Sequence, residues 1–391
     1  MNASLQNAAR PFTPDAITRL LSPTTRLLGF GEPTHGVEAF LELRNELFRH
    51  LVEHEGYRSI AIESDILAGL IVDAYVTEGT GTLDDVMSRG YTHGVGASAA
   101  NRDLVRWMRD HNRTRPAQDR LRFYGFDGPL EITGPESPRA ALTTLHRYLA
   151  AHLELFHTAG TVDRLLGADE RWTNPDATLD PAQSIGRSPE AKELRLIADD
   201  LLALHTAHSP HLIATTSRED WWRAGLHGRV AADLLRYHGG MADSTPARLP
   251  YLMDLRDMMM AGYLADIVRR SGPTLAFAHN LHLKRDKSRW HFAGKPQAWW
   301  SAGAIISASL GDEYAYVAST FGTQGDDVPA PDTVEGVLSA LTDEYSVIDP
   351  RDLDLDGVAA RVPASFRYFA LDPATANEAD GIVFVKEIPP V

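Results

Sequence analysis

Residues 27–51, LLGFGEPTHGVEAFLELRNELFRHL, change their hydrophobic pattern midway, and this change predicts the fold. The first four residues form an unbroken apolar run, as in a strand that is buried on both faces. Pro33 moves Glu32 away from helical angles and ends the strand in a bend. After Gly36 the apolar side chains recur at helical spacing, at Val37, Phe40, Leu41, Leu47, Phe48 and Leu51. The stretch therefore predicts a strand, a turn and a helix.

The predicted helix has a cation on its apolar face. Arg44 lies seven residues after Val37 and seven before Leu51, which puts it near the middle of the apolar stripe. An unpaired buried charge is costly, so an acidic partner is expected. Glu63 follows a second apolar run at 60–62 and is the expected partner. The alternative is an arginine at the edge of the core with its charged end in solvent.

Glu32 and His35 flank the bend at the carboxyl end of the first strand. In open parallel sheets this end of the strands forms the ligand crevice. A histidine beside a carboxylate is suited to act as a general base near neutral pH. A surface loop or a structural histidine is the alternative interpretation.

Composition excludes several classes of protein. The 391 residues are 43% hydrophobic and 23% charged, and the formal net charge of −15 argues against nucleic-acid and anionic-membrane partners. Without cysteine there are no disulfides, thiolate nucleophiles or cysteine-ligated metals. We expect a cytoplasmic location, because the sequence shows neither a signal-peptide pattern nor an apolar run of about 20 residues.

The order of the remaining patterns predicts the architecture. Further strands are expected at 121–127, 273–279, 314–319, 366–370 and 382–385, whereas helical spacing dominates residues 131–249. We expect an α/β fold with a mostly parallel central sheet flanked by helices. Residues 1–130 and 250–391 would form the catalytic core, and 131–249 a helical insertion that caps the cleft. In the insertion, Trp221 and Trp222 are candidates for an apolar pocket, although core packing explains them equally well.

In a parallel sheet the carboxyl ends of the strands converge, which would gather the polar residues found there. These residues are Glu32, His35, Glu63, Asp127 and His279. His279 is preferred over His282, which would face the opposite side if the strand continued. The helix expected at about 251–270 turns a second arginine, Arg256, inward. Such a set is suited to activating water and neutralising an oxyanion.

Other catalytic types are less well supported. The sequence contains no G-x-S-x-G elbow and no P-loop. Two histidines and two carboxylates could hold zinc or manganese, but inward arginines would repel a divalent ion. We therefore expect no metal and no cofactor.

Five separated motifs resemble the erythromycin esterase family, and the resemblance runs from about residue 27 to residue 384. The motifs are GEPTHG at 31–36 with Glu38 and Arg44, AIES at 61–64, YGFD at 124–127, Arg256-Asp257 with Met260-Ala261, and AHNLH at 278–282.

This resemblance implies a metal-independent hydrolase that opens the lactone ring of macrolide antibiotics, with a role in antibiotic resistance or secondary metabolism. It implies that His35 is the base for a water and Glu32 its orienting carboxylate, and that Arg44 and Glu63 are paired in the cleft. It also implies that His279 is the second functional histidine and that Arg256 lies near the substrate carbonyl.

The chain departs from the family pattern at residues 91–100, YTHGVGASAA, where a wall rich in Gly and Ala predicts a different ligand shape. We expect Tyr91, His93 and Asp127, with Trp221 and Trp222, to contact the substrate. Two alternatives to hydrolysis of a small-molecule ester or lactone remain open. One is a biosynthetic cyclisation, acyl transfer or elimination at the same site, and the other is a non-catalytic protein that binds a large apolar ligand.

Overall fold

The computed structural model describes residues 8–131, 134–292, 295–342, 345–362 and 368–389. The chain divides into two units. The first unit comprises Met1–Phe126 and Met260–Val391, and the second comprises Asp127–Met259.

The strands follow one another along the chain as β1 (Ala9–Pro11), β2 (Leu27–Glu32), β3 (Ser59–Asp65), β4 (Arg122–Asp127), β5 (Leu130–Glu131), β6 (Gly134–Pro135), β7 (Thr274–His279), β8 (Lys287–Phe292), β9 (Lys295–Trp300), β10 (Tyr314–Gln324), β11 (Ser346–Ile348) and β12 (Gly381–Ile388).

The helices are α1 (Pro14–Thr18), α2 (Glu38–His54), α3 (Ile66–Glu78), α4 (Leu83–Arg89), α5 (Ala99–Asn112), α6 (Arg139–Ala150), α7 (Ala159–Leu166), α8 (Pro189–Ala207), α9 (Ser209–Thr215), α10 (Arg218–Met241), α11 (Arg248–Ser271), α12 (Asn280–Leu283), α13 (Ala302–Leu310), α14 (Val334–Leu341) and α15 (Pro373–Glu378).

An eight-stranded sheet in the order β1-β11-β12-β10-β2-β7-β3-β4 forms the centre of the first unit. The pairs β12/β10, β10/β2, β2/β7 and β7/β3 are parallel, whereas β1/β11 and β11/β12 are antiparallel. Parallel strands need both faces covered, and every residue of β2, β3 and β7 is buried. The predicted α/β fold with a mostly parallel central sheet and flanking helices is confirmed.

The opening stretch folds as its pattern predicts. The unbroken apolar run becomes β2, in the middle of the sheet, and the helical spacing becomes α2. All six apolar residues of the predicted stripe are buried, and Arg44 is fully buried among them. At the end of the next strand, Asp65 caps α3 by accepting hydrogen bonds from the backbone N–H groups of Leu67 and Ala68.

The structure differs from the expected strands at several places. Short antiparallel strands β1 and β11 extend one edge of the sheet, and β8 and β9 form a separate hairpin. The segment 304–310, whose apolar run fits either a helix or a strand, belongs to α13. The strand expected at 366–370 is wrong for residues 368–370, which are not in a strand, and residues 366–367 lie outside the described part.

The second unit is mainly helical, with α6 to α10 contained in it and a two-strand hairpin, β5–β6, near its start. Trp221 of α10 stacks on His205 of α8, with ring centroids 5.0 Å apart and planes 10° apart. The ring of His205 also hydrogen-bonds the Trp221 carbonyl at 2.8 Å. The neighbouring Trp222 is 7% exposed. Within this unit, both tryptophans therefore pack among helices. Throughout the described part, every helix lacks the length or the apolar run that a bilayer span requires.

Candidate active site

Three adjacent parallel strands, β2, β7 and β3, deliver functional side chains to one edge of the sheet. Glu32 ends β2 and is directly opposite His279, which ends β7. Glu63 lies near the end of β3. Because parallel strands end on the same side, the register alone brings these three residues together.

Glu32 holds the imidazole of His35. Glu32 Oε1 lies 2.7 Å from His35 Nδ1, across the turn that leads into α2. The Glu32 side chain is buried, whereas that of His35 is 49% exposed. Burial raises the pKa of Glu32, and the hydrogen bond and charge of His35 act in the opposite direction. When Glu32 is ionised, Nδ1 carries the ring proton and Nε2 carries the basic lone pair.

The carboxylate of Glu63 connects the histidines of the site. Its Oε2 accepts a hydrogen bond from the backbone N–H of His279 at 2.8 Å. Its Oε1 lies 3.4 Å from His282 Nε2 and 3.9 Å from His35 Nε2. Glu63 is therefore placed to stabilise positive charge on either imidazole.

His279 braces the turn that carries His35. Its Nε2–H donates to the Pro33 carbonyl at 3.1 Å, and its Nδ1 accepts from the backbone N–H of Leu281 at 3.2 Å. Burial, helped by the nearby His35, lowers the pKa of His279 to about 3, so the ring is neutral at ordinary pH. In this tautomer the one ring N–H of His279 already donates to Pro33, so it is not available to an oxyanion, and the role of His279 as a second functional histidine remains a prediction.

The sequence reasoning missed His282. It assumed that β7 continues past His279, which would turn His282 away. Instead the strand ends at His279, whose Nδ1 caps the short helix α12. Residues three apart on a helix share a face, so His282 returns to the same side and approaches Glu63. The pattern His279-Asn-Leu-His282 contains the signal, since a side-chain acceptor often precedes a helix.

The environment of Arg44 differs from the expected ion pair with Glu63. The guanidinium donates from Nε and Nη2 to Asn45 Oδ1 at 3.1 and 2.8 Å, and it lies 4.8 Å above the centre of the Phe277 ring. Nη1 has no hydrogen-bond partner among the described residues. Burial lowers the pKa of Arg44 to about 10, which leaves it charged at neutral pH. The predicted pairing is wrong, since the guanidinium bonds Asn45 and the carboxylate of Glu63 bonds the His279 N–H.

These groups surround a cleft of about 370 Å³ in the first unit. Its walls include residues from β2, α2, β3 and β7 and from the segment 93–101. The cleft contains three carboxylates, those of Glu32, Glu38 and Glu63. Glu38 caps α5 by accepting from the backbone N–H groups of Ala99 and Ala100 at 3.2 and 2.9 Å. The segment between β3 and α5 therefore forms one wall.

The two residues of this wall that were predicted to contact the substrate, His93 and Tyr91, lie in different environments. His93 lines the cleft and has a positive φ of 56°, which is uncommon for a residue with a side chain. Tyr91 is buried, with its ring edge-on to Phe123. The hydroxyl of Tyr91 has no hydrogen-bond partner within the described ranges, and burial raises its pKa despite the nearby Arg44.

Arg256 and Asp127 form an ion pair in the second unit. Asp127 is fully buried, and its Oδ2 accepts from Arg256 Nε and Nη2 at 3.1 and 2.6 Å. The prediction that Arg256 turns inward is confirmed, since its side chain is only 12% exposed. The carboxylate of Asp127, which we expected to contact substrate, is engaged by this arginine and by the Gly128 N–H. The roles of both residues toward a substrate remain predictions.

The arrangement of the histidines and carboxylates also bears on whether the site could hold a metal ion. Within the described ranges, no group of three or more histidines and carboxylates has the arrangement that would hold one. Glu63 and Glu32 instead direct oxygen atoms at histidine rings and a backbone amide.

The fold and site define an α/β protein with a histidine–glutamate pair at the carboxyl edge of a parallel sheet. Residues 52–388 match the family model described as "Erythromycin esterase". The chain belongs to the erythromycin esterase family. The resemblance seen in the five motifs is thus confirmed.

A curated relative in this family is "Erythromycin esterase type II" from Escherichia coli, which is 30% identical over 105 residues. The match covers 27% of this chain and 24% of the relative, so it spans about a quarter of the relative's length.

Three solved structures share the fold at 15–17% sequence identity. A succinoglycan biosynthesis protein has a TM-score of 0.73, with 99% of this chain and 96% of that one covered. A protein from Bacillus cereus has a TM-score of 0.72 at the same coverage. A mutant of the erythromycin esterase EreC in its open conformation has a TM-score of 0.67, with coverages of 96% and 93%.

Proposed function

We propose that the protein hydrolyses an ester or lactone and that His35 is the general base that activates the attacking water. The observation that carries this proposal is the contact of 2.7 Å between Glu32 Oε1 and His35 Nδ1, with the imidazole half exposed in the cleft. The contact fixes the tautomer in which Nε2 accepts a proton.

In the proposed reaction, His35 Nε2 takes a proton from water while the water oxygen bonds to the ester carbonyl carbon. The carbonyl π electrons move to oxygen and give a tetrahedral oxyanion. When this intermediate collapses, the bond to the alkoxy oxygen breaks, and His35 returns its proton to that oxygen. The products are a carboxylic acid and an alcohol, which remain joined when the substrate is a lactone.

Three charged side chains stabilise the charges that develop during this reaction. The imidazolium of His35 has Glu32 in contact and Glu63 Oε1 at 3.9 Å. The buried guanidinium of Arg44 lies in the same cleft and is hydrogen-bonded to the neutral side chain of Asn45. A positive charge in a poorly solvated site favours an oxyanion more strongly than it would in water.

The family points to macrolactones as the substrate class to test first, since the Escherichia coli relative is named an erythromycin esterase. The proposed steps use only side chains and water. Turnover should therefore be unaffected by a chelator, in contrast to hydrolysis by a metal-bound water.

The test is mass spectrometry of a panel of macrolactones, smaller lactones and linear esters after incubation with enzyme in ¹⁸O-labelled water. Hydrolysis adds one water and places the labelled oxygen in the acid product. Cyclisation, acyl transfer or elimination would give products without the label and would overturn the hydrolase assignment. The His35→Asn variant is the matched control and should give no product.

A further inference from the structure

We propose that Asn101 and Arg44 form a subsite that selects substrates with a hydroxyl group on the acyl part. This inference rests on the proposed ester or lactone hydrolysis and names a substrate class for it. Both side chains line the cleft that contains Glu32 and His35.

Asn101 presents an acceptor that the fold leaves unused. The residue is 1% exposed, and its Nδ2 donates to the Val95 carbonyl at 2.8 Å, which fixes the orientation of the amide. The oxygen Oδ1 has no hydrogen-bond partner in the described part of the chain. Buried acceptors in proteins are almost always paired, so an orphan in the wall of a cleft indicates a group that binds there.

Arg44, which lines the same cleft, presents an unused donor. Asn45 Oδ1 accepts from Arg44 Nη2 at 2.8 Å, and Asn45 Nδ2 donates to the carbonyl of Ala100, the residue before Asn101, at 2.8 Å. This short chain of contacts ties the guanidinium to the start of α5. Arg44 Nη1 is the second orphan, buried and without a partner among the described residues.

The two orphan atoms require a group that both donates and accepts. A hydroxyl donates its proton to Asn101 Oδ1 and accepts from Arg44 Nη1. An ammonium group could donate to Asn101, but it cannot accept and would be repelled by the buried guanidinium. A carbonyl or carboxylate could accept from Arg44 and would leave Asn101 unsatisfied. Both atoms are covered, so the proposed binding requires the wall of the cleft to shift locally.

The experiment compares the p-nitrophenyl esters of butanoic, 2-hydroxybutanoic and 3-hydroxybutanoic acid. A site that hydrogen-bonds a substrate hydroxyl discriminates strongly against the analogue without it. We expect kcat/KM for at least one hydroxy ester to exceed that for the butanoate by about tenfold or more. In Asn101→Ala this preference should fall to near one. Equal rates for all three esters in the wild type, or a preference that persists in Asn101→Ala, would overturn the subsite.

Two further variants separate recognition from support of the loop. Asn112→Ala removes another buried asparagine of α5, whose amide bonds Val76 and Leu121, and should leave the preference unchanged. Asn101→Asp keeps an oxygen acceptor but loses the donation to Val95, so it should retain the preference. Loss of preference in Asn101→Asp to the same extent as in Asn101→Ala would show that Asn101 only supports the loop. Circular dichroism checks that each variant is folded.

Binding distinguishes failure of the subsite from failure of the proposed function. Saturation-transfer NMR measures binding of the same esters to His35→Asn and to the double variant His35→Asn/Asn101→Ala. A preference for a hydroxy ester that the double variant loses supports the subsite, even if the wild type hydrolyses none of the esters. That combination would reject the hydrolase assignment but not the subsite. Absence of any binding preference rejects the subsite, whether or not hydrolysis occurs.

Discussion

The Nδ1 atom of His35 lies 2.7 Å from Glu32 Oε1, and this contact joins a half-exposed ring to a buried carboxylate. The strand register places Glu32 against His279, whose Nε2–H holds the Pro33 carbonyl within the same turn. The orientation of His35 is therefore set by two different strands. The carboxylate of this pair is buried, whereas the imidazole is half exposed to the cleft.

Replacing Glu32 by Gln should separate activity from stability. The tautomer of His35 is no longer fixed by a carboxylate, so kcat should fall by about 10²–10⁴-fold. Because burial raises the pKa of Glu32, the ionised group costs folding energy at neutral pH, and the neutral amide should not lower stability.

Steady-state rates and urea unfolding at pH 7.5 measure both effects. Glu38→Gln is the matched control within the same cleft and should retain most activity, since one amide oxygen can still cap α5. Near-wild-type turnover by Glu32→Gln would contradict the assigned role of the carboxylate.

Burial gives His279 a definite effect on the pH dependence of stability. Its pKa is lowered from 6.5 to about 3, so below pH 6.5 the unfolded chain binds a proton that the folded protein does not. Stability should therefore fall as pH falls through this window, by up to about 1.4 kcal/mol per pH unit from this residue. Glu32 acts in the opposite sense, because its raised pKa gives stability that is lost as pH rises.

The free energy of unfolding from urea titrations between pH 4.5 and 7.5 tests this prediction. The stability difference between wild type and His279→Gln should shrink steadily as the pH is lowered. His238→Gln is a parallel case in the second unit, because burial lowers the pKa of His238 to about 4. A difference that is constant with pH would show that His279 titrates normally.

Arg44 and Arg256 should respond differently to replacement by methionine. Arg256→Met leaves the fully buried Asp127 without its cation and should cost about 3–5 kcal/mol. Arg44→Met removes no ion pair and leaves only the neutral Asn45 oxygen unsatisfied, so the cost should stay within about 1–3 kcal/mol. Denaturant unfolding of both variants gives the comparison. A larger loss of stability in Arg44→Met than in Arg256→Met would contradict this account of Arg44.

Buried tyrosine hydroxyls give a third test of stability. The hydroxyls of Tyr91 and Tyr237 are buried without a partner in the described residues, so replacing either tyrosine by Phe should leave stability unchanged or raise it by about 1 kcal/mol. Tyr368 is the contrast, since its hydroxyl donates to Glu335 at 2.7 Å and contacts Thr320 at 2.9 Å. Tyr368→Phe should cost about 1–3 kcal/mol. Thermal unfolding of the three variants should reproduce this order.

The parallel core could be predicted from sequence because its strands are continuous apolar runs that end in polar residues. This pattern predicts β2, β3, β4 and β7, and the helical wheel predicts that Arg44 turns inward. The strands β1 and β11, at one side of the sheet, are only three residues long, which is too short for a periodic signal.

The errors in the site have a common origin, since they concern contacts between distant segments. The positive charge of Arg44 suggested a carboxylate partner, but pairing depends on where Glu63 points, and the His279 amide fixes that direction. His282 was set aside because the end of β7 cannot be read from its apolar run. The orphan atoms of Asn101 and Arg44 become visible only when every hydrogen bond around them has been assigned.

The central claim is that His35 activates water, and the most direct measurement is kcat for His35→Gln on the best substrate from the panel. Loss of the base should lower kcat by about 10³-fold or more, whereas the thermal unfolding midpoint should stay close to that of the wild type, because the side chain is half exposed. A folded His35→Gln enzyme that retains kcat within about threefold of wild type would contradict the account.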